Sequence, residues 1–323
     1  MNEFVQNRHM EFETPVEVIF DLIKRATGQK SVDLTKIVRV YENEVYHVET
    51  CQAAFIVKIR RCGEVELWQE AWAMDRCREA GVPAPEVLLV DAIQSDGKSF
   101  EAMVQRKTLG QPLNDILWSL EKPALDDILR QVGEILGRIH RIQVEGFGRR
   151  CADETWTFPT WERSIASSVR SRGRTREYIL QAGFSEREFE LMIEMLEQYP
   201  NEFPCRQPVL CHGDIEPDHI YIDEEQAIAG VIDFGQFQGG SPILDFIYLS
   251  FLQPKLDLEP LKRGYPDREL VEDGFDRRLH LHRLEFLIGC VAHTIMMGDE
   301  NVDKTPDATG QLWKTLEALE HRA

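Results

Sequence analysis

Two apolar runs that each deliver a carboxylate at their end constrain this chain more than any other feature. They lie in the segment PVLCHGDIEPDHIYIDEEQAIAGVIDFG, which starts at Pro208. The first run enters His212-Gly213-Asp214; a loop through His219 follows, then a short apolar stretch and a turn at Asp223-Glu224-Glu225. The second run, Ile228–Ile232, ends at Asp233-Phe234-Gly235. An ionised carboxylate is costly to bury without compensation, so Asp214 and Asp233 belong at strand ends, held rigidly at a cleft where water or a metal reaches them.

That arrangement fits phosphoryl transfer. The chemistry needs a carboxylate to orient the attacking hydroxyl and take its proton, a second carboxylate with a further ligand for Mg²⁺, and a lysine on the nucleotide phosphates. Asp214 and His219 are five residues apart, and Asp233 ends the next strand, as in the kinase order of catalytic Asp, metal ligand and Asp-Phe-Gly. Lys58 stands inside the apolar run Phe55-Ile56-Val57-Lys58-Ile59. A lysine there either snorkels from an edge strand or serves a site. Glu70, on the helix expected next, is a candidate ion-pair partner; Glu66, one turn earlier, is another.

The rest of the chain divides in texture. Thr14-Pro15-Val16-Glu17 predicts a capped helix start with Pro at the first helical position. Strand-like runs follow at Lys36–Glu42, Val45–Thr50 and Phe55–Arg60, then a helix over Glu64–Ala80, then strands at Val87–Ala92 and Phe100–Gln105. Beyond Gly110 helices dominate: Leu125–Ile142, Glu186–Gln198, Leu281–Met297 and Gln311–Arg322. The only β-type runs read in this half are Val209–Cys211, Ile220–Ile222 and Ile228–Ile232. This segregation predicts an α+β chain with a seam at Gln105–Gly110: residues 1–105 as a nucleotide-binding part, residues 106–323 as a catalytic and substrate-binding part.

Composition narrows the partners. The net charge of -19 argues against nucleic acid and anionic membranes, whose phosphates are held by clustered Lys and Arg, and it suits a cationic small molecule. The longest apolar stretch, Ile243–Leu252, is too short to span a bilayer, and Met1–Phe12 lacks the apolar core of a signal peptide. Seven cysteines, odd in number and without a CxxC pair, predict reduced thiols and a cytoplasmic location. The arginines of Arg170–Arg176 read as a solvated loop, His140 as a satisfied helix-end polar group, and Trp156, Phe158 and Trp161 as packing residues or a stacking surface for a substrate ring.

Taken together, His212-Gly213-Asp214, Asp233-Phe234-Gly235 and Gly81-Val82-Pro83-Ala84-Pro85-Glu86-Val87 resemble the aminoglycoside phosphotransferase and choline kinase-like family. Gly146-Phe147-Gly148 followed by Thr160-Trp161-Glu162 is similar to its hygromycin B phosphotransferase branch. The resemblance implies a protein-kinase-like bilobal fold, with a small β-rich N-lobe and a larger, mainly helical C-lobe. It implies an ATP-dependent, or GTP-dependent, O-phosphotransferase using Mg²⁺. In it Asp214 is the catalytic base, Asp233 and His219 the metal ligands, and Lys58 the phosphate ligand paired with Glu70. The strand end Gln105, Arg106, Lys107 is the hinge whose backbone meets the base, and Asp245 supports the catalytic loop. An aminoglycoside-type antibiotic is the leading acceptor, with Glu154, Glu216, Asp218, Glu285, Asp299 and Glu300 as candidates to hold its ammonium groups.

Two departures keep alternatives in view. His219 stands where the family carries Asn, and imidazole suits softer metals than Mg²⁺. The loop Tyr41-Glu42-Asn43-Glu44-Val45, where phosphates would lie, has no glycine and two acids, which predicts weakened nucleotide binding. A kinase of a macrolide, choline, a sugar or a hydroxy-amino acid, and a catalytically impaired pseudokinase-like binding protein, are the competing readings.

Overall fold

The computed structural model describes residues 13–37, 43–61, 66–95, 97–252, 256–272, 274–297 and 307–321. The chain forms two compact units: residues 1–120 together with 217–236, and residues 121–216 together with 237–323.

The first unit opens with helix α1 (Val16–Thr27), which buries Ile19, Leu22 and Ile23 and closes on Gly28 at φ +72°. Thr14 does not cap it. The helix starts behind Pro15 with no side-chain cap, and the amide and hydroxyl of Thr14 each donate to Glu44 at 2.8 Å. Next come β1 (Ser31–Ile37), β2 (Asn43–Thr50), β3 (Ala54–Arg60), helix α2 (Leu67–Glu79), β4 (Val87–Ser95) and β5 (Lys98–Arg106). The strands make an antiparallel five-stranded sheet in the order β1-β2-β3-β5-β4. The side chains alternate as a pleated strand requires. Phe55, Val57, Ile59, Ala102 and Val104 face a core shared with Ile19, Leu22 and Ile23. Burial of each of the larger of these side chains contributes about 1.5–3 kcal/mol. Ile56, Lys58, Met103 and Gln105 therefore take the opposite face, with Ile56 opposite Gln105 and Lys58 opposite Met103.

The unit continues through β6 (Gln111–Pro112) and the short helix α3 (Leu113–Ile116). Residues 217–236 add β10 (Ile220–Ile222) and β11 (Ile228–Val231), giving a small antiparallel sheet in the order β11-β10-β6. At Gly230, β11 leaves no room for a side chain: a Cβ there would lie 2.2 Å from Thr108 Cγ2 and 3.4 Å from Pro83 O.

The second unit is mainly helical: α4 (Lys122–Ile139), α5 (Trp161–Gly173), α6 (Arg176–Gln181), α7 (Glu186–Glu202), α8 (Leu244–Leu252), α9 (Glu259–Gly264), α10 (Arg268–Glu272), α11 (Phe275–Met297) and α12 (Ala308–Glu320). Ser185 and Glu188 form a reciprocal capping box at the start of α7. A four-stranded sheet in the order β8-β7-β12-β9 was not foreseen beyond β9 (Val209–Cys211). Its other strands, β7 (Phe147–Arg150), β8 (Trp156–Phe158) and β12 (Gln238–Gly240), are three or four residues long, too short for an alternation to stand out. The arginine run is solvated but only in part a loop: Arg170, Arg174 and Arg176 are exposed, Arg170 and Arg172 lie in the last turn of α5, and Arg172 Nη2 is 2.8 Å from Glu285. Trp161 is core, stacked edge-on against Tyr199, with its indole N–H donating to Phe203 O at 3.1 Å. A β-sheet N-terminal region and a helical C-terminal region make up the α+β chain expected. Among the described residues no helix is long and apolar enough to cross a membrane.

Candidate active site

In the first unit, the strand lysine finds its helix partner. Lys58 Nζ donates to Glu70 Oε1 and Oε2 at 2.9 and 2.8 Å, and to Asp233 Oδ1 at 3.0 Å. Lys58 and Glu70 are 7% and 2% exposed, so the ion pair sits in a low dielectric where it is strongly felt. Burial pulls the Lys58 pKa down, but the charges of Asp233 and Glu70 outweigh it and hold the ammonium above its ordinary value. Burial, together with the nearby Asp233, pushes the Glu70 carboxyl up despite Lys58. The two carboxylates lift the lysine, whereas burial is what lifts Glu70. Glu66 is not the partner: it stands just before α2, and its carboxylate accepts from Trp68 Nε1 at 2.6 Å.

Asp233 is placed by backbone strain. It follows β11 at φ +62°, a left-handed conformation uncommon for a residue with a Cβ. The Ile232 amide donates to His219 O at 2.9 Å, fixing the turn that carries His219 beneath it. His219 Nε2 lies 3.8 Å from Asp233 Oδ2. Gly235 leaves the cluster open: a Cβ there would stand 3.3 Å from Asp233 Oδ1 and 3.7 Å from Glu70 Oε2 and Lys58 Nζ.

In the second unit, the loop carrying Asp214 hangs from one buried residue. Asp245, fully buried on α8, accepts from the amides of His212 and Gly213 at 2.8 Å each and lies 3.0 Å from His140 Nε2. A carboxylate only accepts, so Nε2 of His140 carries the hydrogen. The other ring nitrogen meets the Tyr265 hydroxyl at 2.9 Å. Burial would raise the Asp245 pKa, but His140 and the backbone amides bring it below the ordinary carboxylate value. Gly213 takes φ +78°, which lets its amide turn onto Asp245. The Asp214 amide donates to His212 Nδ1 at 3.3 Å, and an Asp214 carboxylate oxygen lies within 4.8 Å of one of Glu216. Sequence reading missed His140 and Tyr265 as loop supports. Their distances along the chain from Asp245 leave no local signal.

Other expected residues divide. Gln105 is 8% exposed at the end of β5, and Arg106 is paired with Glu86 at 2.6 Å. The amides of Arg106 and Lys107 donate to Glu86 O and Ala54 O at 2.9 and 3.1 Å, so both are engaged within the sheet. Of the glycine-free loop, Tyr41 and Glu42 lie outside the described residues. Glu44 shows no free charge to a phosphate: it is fully buried and accepts from Thr14, Tyr46 and the Arg61 guanidinium. Burial would raise its pKa, yet those donors hold it at about 2. Glu285 is engaged by Arg172 at 2.8 Å, Asp218 by Asn114 at 3.4 Å, and Glu154 by Arg150 at 3.4 Å. Asp299 and Glu300 lie outside the described residues.

The sequence pattern of the phosphotransferase enzyme family (APH) matches residues 33–278. The chain belongs to that family. It is a small-molecule phosphotransferase, a kinase of the class the strand lysine and paired carboxylates suggested. Solved structures share its fold at low identity. A thermostable mutant of aminoglycoside phosphotransferase APH(4)-Ia, in ternary complex with AMP-PNP and hygromycin B, is 19% identical with a TM-score of 0.71, over 93% of this chain and 98% of that one. Spectinomycin phosphotransferase APH(9)-Ia, in complex with ADP and spectinomycin, is 12% identical with a TM-score of 0.60, over 96% and 95%. The gentamicin complex of APH(2″)-IIa is 16% identical with a TM-score of 0.58, over 95% and 97%. For this phosphotransferase those likenesses establish the fold.

Proposed function

We propose that this phosphotransferase moves the γ-phosphate of ATP to a hydroxyl of a small molecule, an aminoglycoside-type antibiotic being the leading acceptor. The observation that carries the reading is Lys58 Nζ held between Glu70 and Asp233 at 2.8–3.0 Å. Glu70 fixes the ammonium where nucleotide phosphates would meet it, as the strand-lysine and helix-glutamate pair does in kinases. Asp214 orients the acceptor hydroxyl and takes its proton as the oxygen–phosphorus bond forms. The bond from the γ-phosphorus to the bridging oxygen breaks, and its electron pair leaves with ADP.

Mg²⁺ fits the donors at hand, since the Asp233 carboxylate is a hard oxygen ligand at a strand end. Asp233, with His219 beside it, would hold the ion. When bound, it would neutralise charge on the transferred group. Residues 1–105 would then bind nucleotide, and residues 106–323 would supply the base and the acceptor site. The odd cysteine count favours a reducing, cytoplasmic setting.

The aminoglycoside reading draws support from the net charge of -19 and from folds solved with hygromycin B, spectinomycin and gentamicin. One observation favours an uncharged or less cationic acceptor, such as a macrolide or sugar: Glu285 is already paired with Arg172. Nucleotide turnover with Mg²⁺ across aminoglycosides, macrolides, choline, sugars and hydroxy-amino acids, with Asp214→Asn as the blank, tests the proposal. Turnover with one class, reduced at least ~10²-fold in the blank, supports it and names the acceptor. Equal turnover in the blank removes Asp214 from the base role. No turnover and no nucleotide binding favours a pseudokinase.

A further inference from the structure

The side chain of Gln105 has a role that a strand-end hinge does not by itself require. The residue is only 8% exposed, and among the described residues its Oε1 has no hydrogen-bond partner. A buried amide oxygen without a partner costs free energy that a well-packed sheet ordinarily avoids, and such an atom in a site calls for a ligand to satisfy it.

Its position says which ligand. Gln105 and Lys58 share one face of the sheet, because Gln105 pairs with Ile56 and Met103 with Lys58. Two residues along a strand place the carboxamide roughly 7 Å from the Lys58 register, on the scale of a nucleoside. The neighbouring amides of Arg106 and Lys107 are engaged with Glu86 O and Ala54 O. They cannot also donate to a base. Close by, β11 passes Thr108 and Pro83 at Gly230, and Asp233, two residues beyond its end, touches Lys58. The exposed edge of a purine held here would face the Gln105 carboxamide in place of the strand-end amides.

We propose that the Gln105 side chain reads the 6-position of the purine and makes the enzyme tolerant of both adenine and guanine nucleotides. This rests on the nucleotide-dependent reading above. A carboxamide offers an acceptor oxygen and donor hydrogens on one planar group. With Oε1 forward it accepts from the amino group of adenine. Turned over about its last bond, it donates to the 6-oxo group of guanine. On the two strands that carry Gln105 and Lys58, β5 and β3, the other residues of this face at these positions are Met103 and Ile56, both apolar.

The test is calorimetric binding of ADP and of GDP, with Mg²⁺, to the full chain and to Gln105→Glu, Gln105→Lys and Gln105→Met. The measured quantity is the ratio of the two dissociation constants within each protein, which cancels any loss of folded material. The wild type should bind the two within about threefold of each other. Gln105→Glu, an acceptor only, should shift the ratio at least about tenfold toward ADP. Gln105→Lys, a donor only, should shift it about as far toward GDP. Gln105→Met should weaken both and leave the ratio near wild type. Ratios unchanged in the Glu and Lys variants, with both nucleotides still bound, overturn the Gln105 assignment and leave the kinase reading standing. Binding of neither nucleotide to the wild type overturns the kinase reading and this inference with it.

Discussion

At the scale of single residues, the site depends on groups held where their own preferences would not put them. Asp233 keeps a left-handed backbone, and Gly235 next to it leaves the space that Lys58, Glu70 and Asp233 share. Gly235→Ala places a methyl 3.3 Å from Asp233 Oδ1, a tight approach for a bound carboxylate. Its kcat/KM should fall about tenfold or more, while the urea midpoint moves little, because misplacement rather than unfolding is the defect. A shift in the midpoint as large as the loss of activity would point to folding instead. His219→Asn makes the opposite case. An amide oxygen is a harder ligand than imidazole, so turnover with Mg²⁺ should be kept or improved. Complete loss would give His219 a part in catalysis that an Asn cannot play. Lys58, Asp214 and Asp233 could be singled out as candidates in the sequence because an ionisable residue inside or at the end of an apolar run has few structural uses. The unsatisfied oxygen of Gln105 was not, because only the sheet register shows which face it occupies.

At the scale of elements, buried polar networks tie segments together. Asp245 on α8 suspends the loop of His212 and Gly213, and His140 at the end of α4 braces it. Asp245→Asn turns one acceptor into a donor facing donors. It should cost about 3 kcal/mol of stability, read as a lower urea midpoint. An unchanged midpoint would mean that the loop finds other acceptors. In the first unit, Glu44 binds Thr14, at the head of α1, and Arg61, just beyond β3. Its carboxylate was expected to repel phosphates. The structure instead gives it to the Arg61 guanidinium, whose side chain is 2% exposed. Glu44→Gln leaves that cation buried without an anion and should destabilise by about 3–5 kcal/mol in chemical unfolding. The same network explains why Thr14 does not cap α1: a buried carboxylate needs donors more than a solvated helix end does. Helices with long apolar stripes were legible, whereas β7, β8 and β12 were not, since strands of three or four residues carry too little alternation to register.

At the scale of the whole molecule, charge and protonation set the conditions under which it works. His282 lines a cavity of about 90 Å³ with Trp161, Tyr199 and Glu285, and among the described residues its Nε2 has no hydrogen-bond partner. Burial, reinforced by Arg278, lowers its pKa to about 3. The unfolded chain therefore binds a proton there below about pH 6.5 while the folded chain does not, and stability falls as pH drops through that window. Between about pH 6.5 and 5, where carboxylates scarcely titrate, His282→Gln should flatten the decline in melting temperature. An identical slope in the variant would mean that His282 gains a proton without unfolding. The net charge of -19 bears on the acceptor. If the acceptor is a polycation, KM should rise steeply between about 0.05 M and 0.5 M salt as screening shortens the reach of the charges. A flat KM would favour an uncharged hydroxyl substrate.

The sequence by itself determined the kinase-type chemistry and much of the order of elements, and it offered candidate carriers of that chemistry, because apolar periodicity and misplaced charges are properties of neighbours along the chain. It was silent on how distant donors and acceptors would be matched. Only the tertiary structure decided that Glu70 rather than Glu66 meets Lys58, and that Asp245 finds His140. It likewise decided that Glu44 and Glu285 are given to arginines, and that, among the described residues, the side-chain oxygen of Gln105 is left without a partner. Those choices follow from the cost of burying a polar group alone. That cost is settled by which side chains the fold brings within 3 Å, not by where they stand in the sequence.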